Sequence, residues 1–287
     1  MPKNKTFITA GLLFISTLIL IIAGGLVTST DSGLAVPDWP LSYGGLFPPM
    51  VGGIIYEHSH RVIAGCVLIL IFILTWVSHI EKNTAVHRLA TFGCALVLLQ
   101  ALFGGLTVVY LLPVPLSVAH ACMGQIFFVL TAIIFRMSSS DWRDIKTIQL
   151  PGIGSFKHAL HVLCFFLLIQ LVLGALVRHT GGSHLMLHLS GALIILLYVM
   201  GLVWMMAASK PLRCYAYFFS LGFLIFVQLG LGVGAAFWAI WKKAEGATTL
   251  QEILFTTAHQ TTGAVILALA ALTLLHAGKH YQETHAK

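Results

Sequence analysis

Eight apolar runs, each long enough to cross a bilayer, occupy most of this chain and leave little sequence between them. A membrane helix needs about 20 predominantly apolar residues. The runs fall at roughly 7–28, 60–80, 87–111, 117–137, 158–178, 184–207, 214–240 and 253–276. Only 9% of residues are charged, against about a quarter in soluble domains. Backbone polar groups in hydrocarbon must be paired internally, which in open segments of this length means helix. The sequence therefore predicts an all-α integral membrane protein with eight transmembrane helices. The short connections leave no room for a soluble catalytic domain. The first run lacks a small-residue cleavage site and reads as a retained helix, not a signal peptide.

A net charge of +7 would suggest nucleic acid as partner in a soluble protein. Here its distribution describes topology. With the N-terminus inside, the inner segments hold Lys3, Lys5, Lys82, Arg88, Arg136, Arg143, Lys146, Lys157, Lys210, Arg213, Lys279 and Lys287, and the outer ones hold Arg61, Arg178, Lys242 and Lys243. The positive-inside rule then predicts both termini in the cytoplasm and no nucleic-acid role. Cys66, Cys94, Cys122, Cys164 and Cys214 lie in or beside apolar runs, and no CxxC occurs. They read as small buried packing residues rather than disulfide partners.

The chain repeats. Gln100 and Gly104, Gln170 and Gly174, and Gln228 and Gly232 give Gln-x-x-x-Gly in the outer halves of three odd-numbered helices; the first helix has Leu20 and Gly24 there. Small residues let membrane helices approach, and a glutamine can hydrogen-bond across them, so packing is one sufficient account. After each odd helix comes an outer loop and then a histidine at the mouth of the even helix: His60, His120, His188 and His259. A glycine follows each: Gly65, Gly124, Gly191 and Gly263. The chain thus reads as four helical hairpins in two parallel halves, each hairpin delivering one imidazole at the same outer depth.

Ionisable groups in membrane helices are rare and usually functional. Four at equivalent places point to ligation. Haem iron takes axial histidine, and bundle cores build such sites from facing helices. The following glycines are expected to clear space for a flat macrocycle. Zinc fits less well, because it favours compact sets of four ligands. The natural pairing is His60 with His120 and His188 with His259; His184, one turn from His188, competes for its place. The other histidines, His58 and His179 on the outer side and His79, His87, His158, His161, His276, His280 and His285 on the inner side or tail, read as solvated helix-end residues.

The first of the four seats stands apart. In Tyr56-Glu57-His58-Ser59-His60-Arg61 a helix would put Glu57 on one face with His60 and Arg61. Glu57 is then either a proton-handling carboxylate beside a ligand or a helix-end partner of Arg61. The longest outer loop, about 29–56, precedes it and is dense in Gly, Pro and aromatics. Its Trp39, Tyr43 and Phe47 suit an interfacial lid or a plain interfacial anchor.

Together, Glu57-x-x-His60-Arg61, the loop Gly33-Leu-Ala-Val-Pro-Asp38-Trp39-Pro40-Leu41 and the placement of His120, His188 and His259 in two halves resemble the haem A synthase family of cytochrome oxidase assembly. The resemblance covers all eight helices. It implies two pseudo-symmetric four-helix halves, 1–137 and 158–287, joined by a cytoplasmic linker, 138–157. It implies oxidation of the C8 methyl of haem O to the formyl group of haem A, with substrate in the first half and a haem b (iron) cofactor in the second. Under it, His60 and His120 ligate substrate iron, His188 and His259 are the axial ligands of haem b, and Glu57 is catalytic. Arg61 would partner Glu57 or a haem propionate. Haem O synthase, cytochrome oxidase assembly proteins and membrane lipid are the implied partners. The implied place is the plasma membrane, with the haem sites toward the outer face.

Two features depart from the family. Many relatives carry a cysteine pair in the first outer loop, whereas here Ser42 stands near one such place and the loop has no cysteine. No arginine follows His188, so the halves are not chemically equivalent, and the half with Glu57 and Arg61 reads as the reactive one. The alternatives are a di-haem electron carrier resembling cytochrome b561, with inner His79, His158, His161 and His276 supplying a second pair, and an assembly factor that binds haem without altering it.

Overall fold

The computed structural model describes residues 4–149, 152–208, 215–241 and 248–282. Lys3, Lys210, Arg213, Cys214, Lys242, Lys243, His285 and Lys287, named above, lie outside the described residues. The helices are α1 (Lys5–Ser29), α2 (Gly53–Ile80), α3 (Thr84–Val109), α4 (Val114–Ser138), a single turn α5 (Ser140–Arg143), α6 (Ile153–His179), α7 (Leu185–Ala208), α8 (Tyr215–Ala236) and α9 (Leu250–His280). A π-helical turn, Phe237–Trp241, continues α8. Two short strands, β1 (Ile148–Gln149) and β2 (Tyr281–Gln282), pair in parallel. Eight helices, α1 to α4 and α6 to α9, are long and apolar enough to cross a membrane, in agreement with the eight apolar runs. Large apolar side chains such as Phe72, Trp76 and Trp204 lie exposed along them, as a lipid-facing surface requires.

The chain forms two compact units, Met1–Ser138 with Leu231–Thr261, and Ser139–Gly230 with Thr262–Lys287. This partition differs from the sequence division at 137 and 158, because the outer ends of α8 and α9 go with the first unit. The contacts explain it. Ser29 Oγ at the end of α1 lies 2.7 Å from Thr256 Oγ1 of α9, and a Cβ on Gly25 would meet Thr257 at 3.1 Å.

In the first unit, Ala10, Leu13, Val67, Ile71, Leu74, Val86, Ala90, Val97, Phe127 and Ile134 form the core. The end of this unit where α1 starts is capped by side chains. Asn4 accepts from the Phe7 amide, and Glu81 at the end of α2 accepts from the amides of Lys5 and Thr6. These caps satisfy donors that a helix start leaves open. In the second unit the core runs through Phe156, Leu160, Leu163, Ile195, Val199, Leu221, Ile225, Ile266 and Ala270.

Two sequence expectations about burial change. Cys94 and Cys122 are buried, but Cys66 is exposed. His276 is not a solvated end residue. It is 6% exposed, with its ring 5.4 Å from Trp142 and 5.8 Å from His280, because α5 folds its tryptophan over the end of α9.

Candidate functional site

Each histidine of the repeat sits across a helix pair in the same way. Its ring lies over the glycine of the preceding odd helix, so that a Cβ there would collide with Cε1. The approach would be 3.2 Å for Gly24 on His60, 2.8 Å for Gly104 on His120, 3.0 Å for Gly174 on His188 and 2.8 Å for Gly232 on His259. Close approach of ring to backbone is what requires glycine at these places.

The glutamine locks the arrangement. Gln100 Nε2 donates to the His120 carbonyl at 2.8 Å, and His120 Nδ1 stands 3.1 Å from the Gln100 carbonyl. Gln170 Nε2 donates to the His188 carbonyl, also at 2.8 Å. The glycine after each histidine makes room for this glutamine: a Cβ on Gly124 would meet Gln100 at 3.0 Å, one on Gly263 would meet Gln228 at 3.2 Å, and one on Gly191 would overlap Gln170 Oε1. The expectation that these glycines clear a macrocycle is therefore corrected at three of the four. Only at Gly65, whose hairpin has Leu20 in place of glutamine, would a Cβ meet nothing within 4 Å.

His60 sits deeper in its helix than the apolar run suggested. α2 begins at Gly53, so His60 lies about two turns inside it. The polar run 56–61 is helical because its charges pair within it. His184 takes a different role from His188: its Nδ1 lies 3.2 Å from Thr180 Oγ1 at the loop, and the repeat position belongs to His188.

Glu57, 4% exposed, is bridged to Arg61 at 2.5 Å, one turn on. Its other oxygen accepts from the Val36 amide at 2.8 Å. Arg61 turns three further donors on the preceding loop, bonding the carbonyls of Asp38 at 2.6 Å, Leu41 at 2.7 Å and Val36 at 3.2 Å. Ser42 Oγ lies 2.9 Å from His58 Nδ1. One turn of α2 thus straps down residues 36–42. With four donors on carbonyls and Glu57, Arg61 organises the loop. Sequence reasoning found the Glu57–Arg61 pair but missed the carbonyl grip and the Ser42–His58 bond, since nothing in residue spacing foretells which loop atoms reach a helix.

The strap carries a small turn. Asp38 accepts from the amides of Tyr43 and Gly44 at 2.7 and 2.8 Å. The Gly44 amide, with that of Tyr43 and the Arg61 charge, holds the Asp38 carboxyl below the usual carboxylate range. Tyr43 closes the turn from its hydroxyl onto the Ala35 carbonyl at 2.7 Å. Trp39 and Pro40 are joined by a cis peptide, and the indole lies on α3, where a Cβ on Gly105 would reach it at 2.5 Å. The loop aromatics divide accordingly: Trp39 and Tyr43 are tied down, and Phe47 is 94% exposed.

These residues fit a haem. An axial imidazole needs one ring nitrogen fixed by a hydrogen bond and the other presented to iron. His120 has Nδ1 on a backbone carbonyl, which leaves Nε2 for ligation. His60 lies within electrostatic reach of both His120 and Arg61. Among the described residues no three His, Cys, Asp or Glu side chains gather into one metal-binding group.

A family model described as cytochrome oxidase assembly protein matches residues 55–186. The chain is 33% identical over 178 residues to the Heme A synthase of Bacillus pumilus, covering 58% of this chain and 56% of that one. It is 30% identical over 191 residues to the Heme A synthase of Exiguobacterium sibiricum, covering 63% and 62%. Against the Heme A synthase of Geobacillus kaustophilus it is 25% identical over 278 residues, covering 88% and 79%. The chain spans little more than half the length of the first of these relatives. The matches bear out the resemblance to the haem A synthase family, and the family model's matched stretch includes Glu57, His60 and Arg61.

Proposed function

We propose, from this similarity and from the four repeated histidine seats, that the chain is an oxidoreductase that makes haem A for cytochrome oxidase, oxidising the C8 methyl of haem O to a formyl group. The observation that carries the reading is the clasped histidine, His120 over Gly104 with the Gln100 amide on its carbonyl, together with its recurrence at Gln170, Gly174 and His188.

In this reading His60 and His120 hold the substrate iron, and His188 and His259 are the ligands of a haem b. That haem would supply electron transfer; the chain's residues bind, orient and shield. Arg61 and Glu57 hold residues 36–42 down beside the His60 turn, which keeps bulk water from it. Each Glu57 oxygen has one partner and keeps a further lone pair, so the carboxylate can receive a proton without releasing the loop. The setting is the cell membrane, with both termini cytoplasmic and the histidine seats toward the outer face, where haem O synthase and cytochrome oxidase assembly proteins would be its partners. The electron-carrier alternative gives the Glu57–Arg61 strap no role and is not favoured.

The test is expression in a host that makes haem O and no haem A. Haem A should appear with the wild-type chain and not with His120→Ala. Haem O left unchanged by a properly inserted wild-type chain overturns the proposal.

A further inference from the structure

The four seats are not equally tight. His120 and His188 are each clasped by a glutamine amide on their own carbonyl, and the glycine that follows each histidine is filled by that glutamine. The fourth hairpin repeats the packing, with Gly232 under His259 and Gly263 against Gln228. The first hairpin breaks the pattern three times. Leu20 stands where the glutamine would be and has no amide to give. Gly65 has open space beside it, and the approach of Gly24 to the His60 ring is the longest of the four. The Nδ1 atoms of His60 and His188 are in the same buried state, so what sets His60 apart is the missing glutamine and the space it leaves.

We propose that His60 is the exchangeable ligand of the first site, that His120 is its fixed one, and that the absence of a glutamine at Leu20 is what leaves His60 free to let go. This rests on the reading that haem binds between His60 and His120. The physical ground is that a histidine whose own carbonyl carries no side-chain donor is held by fewer constraints than one whose carbonyl is gripped by a glutamine from the next helix. A seat that must take in substrate and give up product needs one ligand of that kind. A seat for a permanent cofactor needs none, and the second-half histidine His188 is clasped. Leu20 is thus a positioning residue that acts through His60.

The test installs and removes the clasp. In purified, haem-loaded protein, carbon monoxide binding to the reduced haem reports how readily an axial histidine leaves, and transfer to apomyoglobin reports haem release. Leu20→Gln, whose amide would enter the space beside Gly65, should slow both at the first site by about tenfold, the effect of roughly one net hydrogen bond. Gln170→Leu should do the reverse and make a haem held by His188 reactive to carbon monoxide. This second variant keeps the proposal falsifiable if Leu20→Gln does not insert. Unchanged exchange rates in a folded Leu20→Gln, or an unreactive haem in Gln170→Leu, overturn it. If His60→Ala and His120→Ala both leave haem content and carbon monoxide binding as in the wild type, the underlying site assignment fails, and this inference with it.

Discussion

Gln100 and His120 hold each other in both directions: the glutamine amide donates to the histidine carbonyl at 2.8 Å, and the histidine Nδ1 lies 3.1 Å from the glutamine carbonyl. Two residues on adjacent membrane helices thereby fix one another's backbone as well as a ring. The same exchange of a glutamine amide for a histidine carbonyl recurs at Gln170 and His188. A hydrogen bond of this kind is worth about 0.5–1.5 kcal/mol net. Its value to the site is orientation.

The glycine beneath the ring should be the most sensitive position. A Cβ at Gly104 would stand 2.8 Å from His120 Cε1, closer than packing allows, so Gly104→Ala should swing the ring and lose haem from the first site. Gly65→Ala, with nothing within 4 Å, should insert and bind normally. Haem-to-protein ratios of the two purified variants check this.

Arg61 and Glu57 should separate in their effects. Arg61→Gln removes the grip on three carbonyls and leaves Glu57 buried without its charge partner, a loss of about 3–5 kcal/mol for a buried pair. Residues 36–42 should then open. Glu57→Gln can still accept from the Val36 amide and should keep the loop closed, while haem A yield falls by about 10²–10⁴-fold as acid–base function is lost. Labelling of a cysteine placed at Ser42, 3% exposed, reads the loop, and pigment analysis reads the yield.

Acid should loosen the same loop. The Asp38 carboxyl is held below the usual range. Its contribution is therefore complete above the unfolded value, about 3.9, and is lost as pH falls through the lower folded value. Trp39 fluorescence, titrated downward, should show a transition on the acid side of the ordinary aspartate range, and Asp38→Asn should abolish it.

Topology gives an independent check. A cysteine at Phe47 should label from outside the cell, whereas one at Asp144 should label only after lysis, as the charge asymmetry predicts. The opposite pattern would place the histidine seats at the cytoplasmic face.

How much of this was legible in the sequence depended on whether a feature repeats. The eight helices and the four histidines were plain, because hydropathy and a recurring motif both carry through the chain. Gly124, Gly191 and Gly263 were seen but given the wrong neighbour: spacing shows that a helix face is small without saying what fills it, and the filler, the glutamine, lies on another helix. The apolar run from 60 understates α2, which begins at Gly53, since the Glu57–Arg61 pair lets polar residues continue a helix beyond its apolar stretch. His276 under Trp142 and Ser42 on His58 were invisible, for each depends on how a loop or single turn folds back in space.

The most direct measurement is extraction of the pigment from purified protein, with its haems identified by chromatography and mass spectrometry. The account predicts haem B together with haem O, haem A or a hydroxylated intermediate, and loss of the latter group alone in His60→Ala and His120→Ala. Haem B as the sole pigment, lost equally from all four histidine variants, would contradict it.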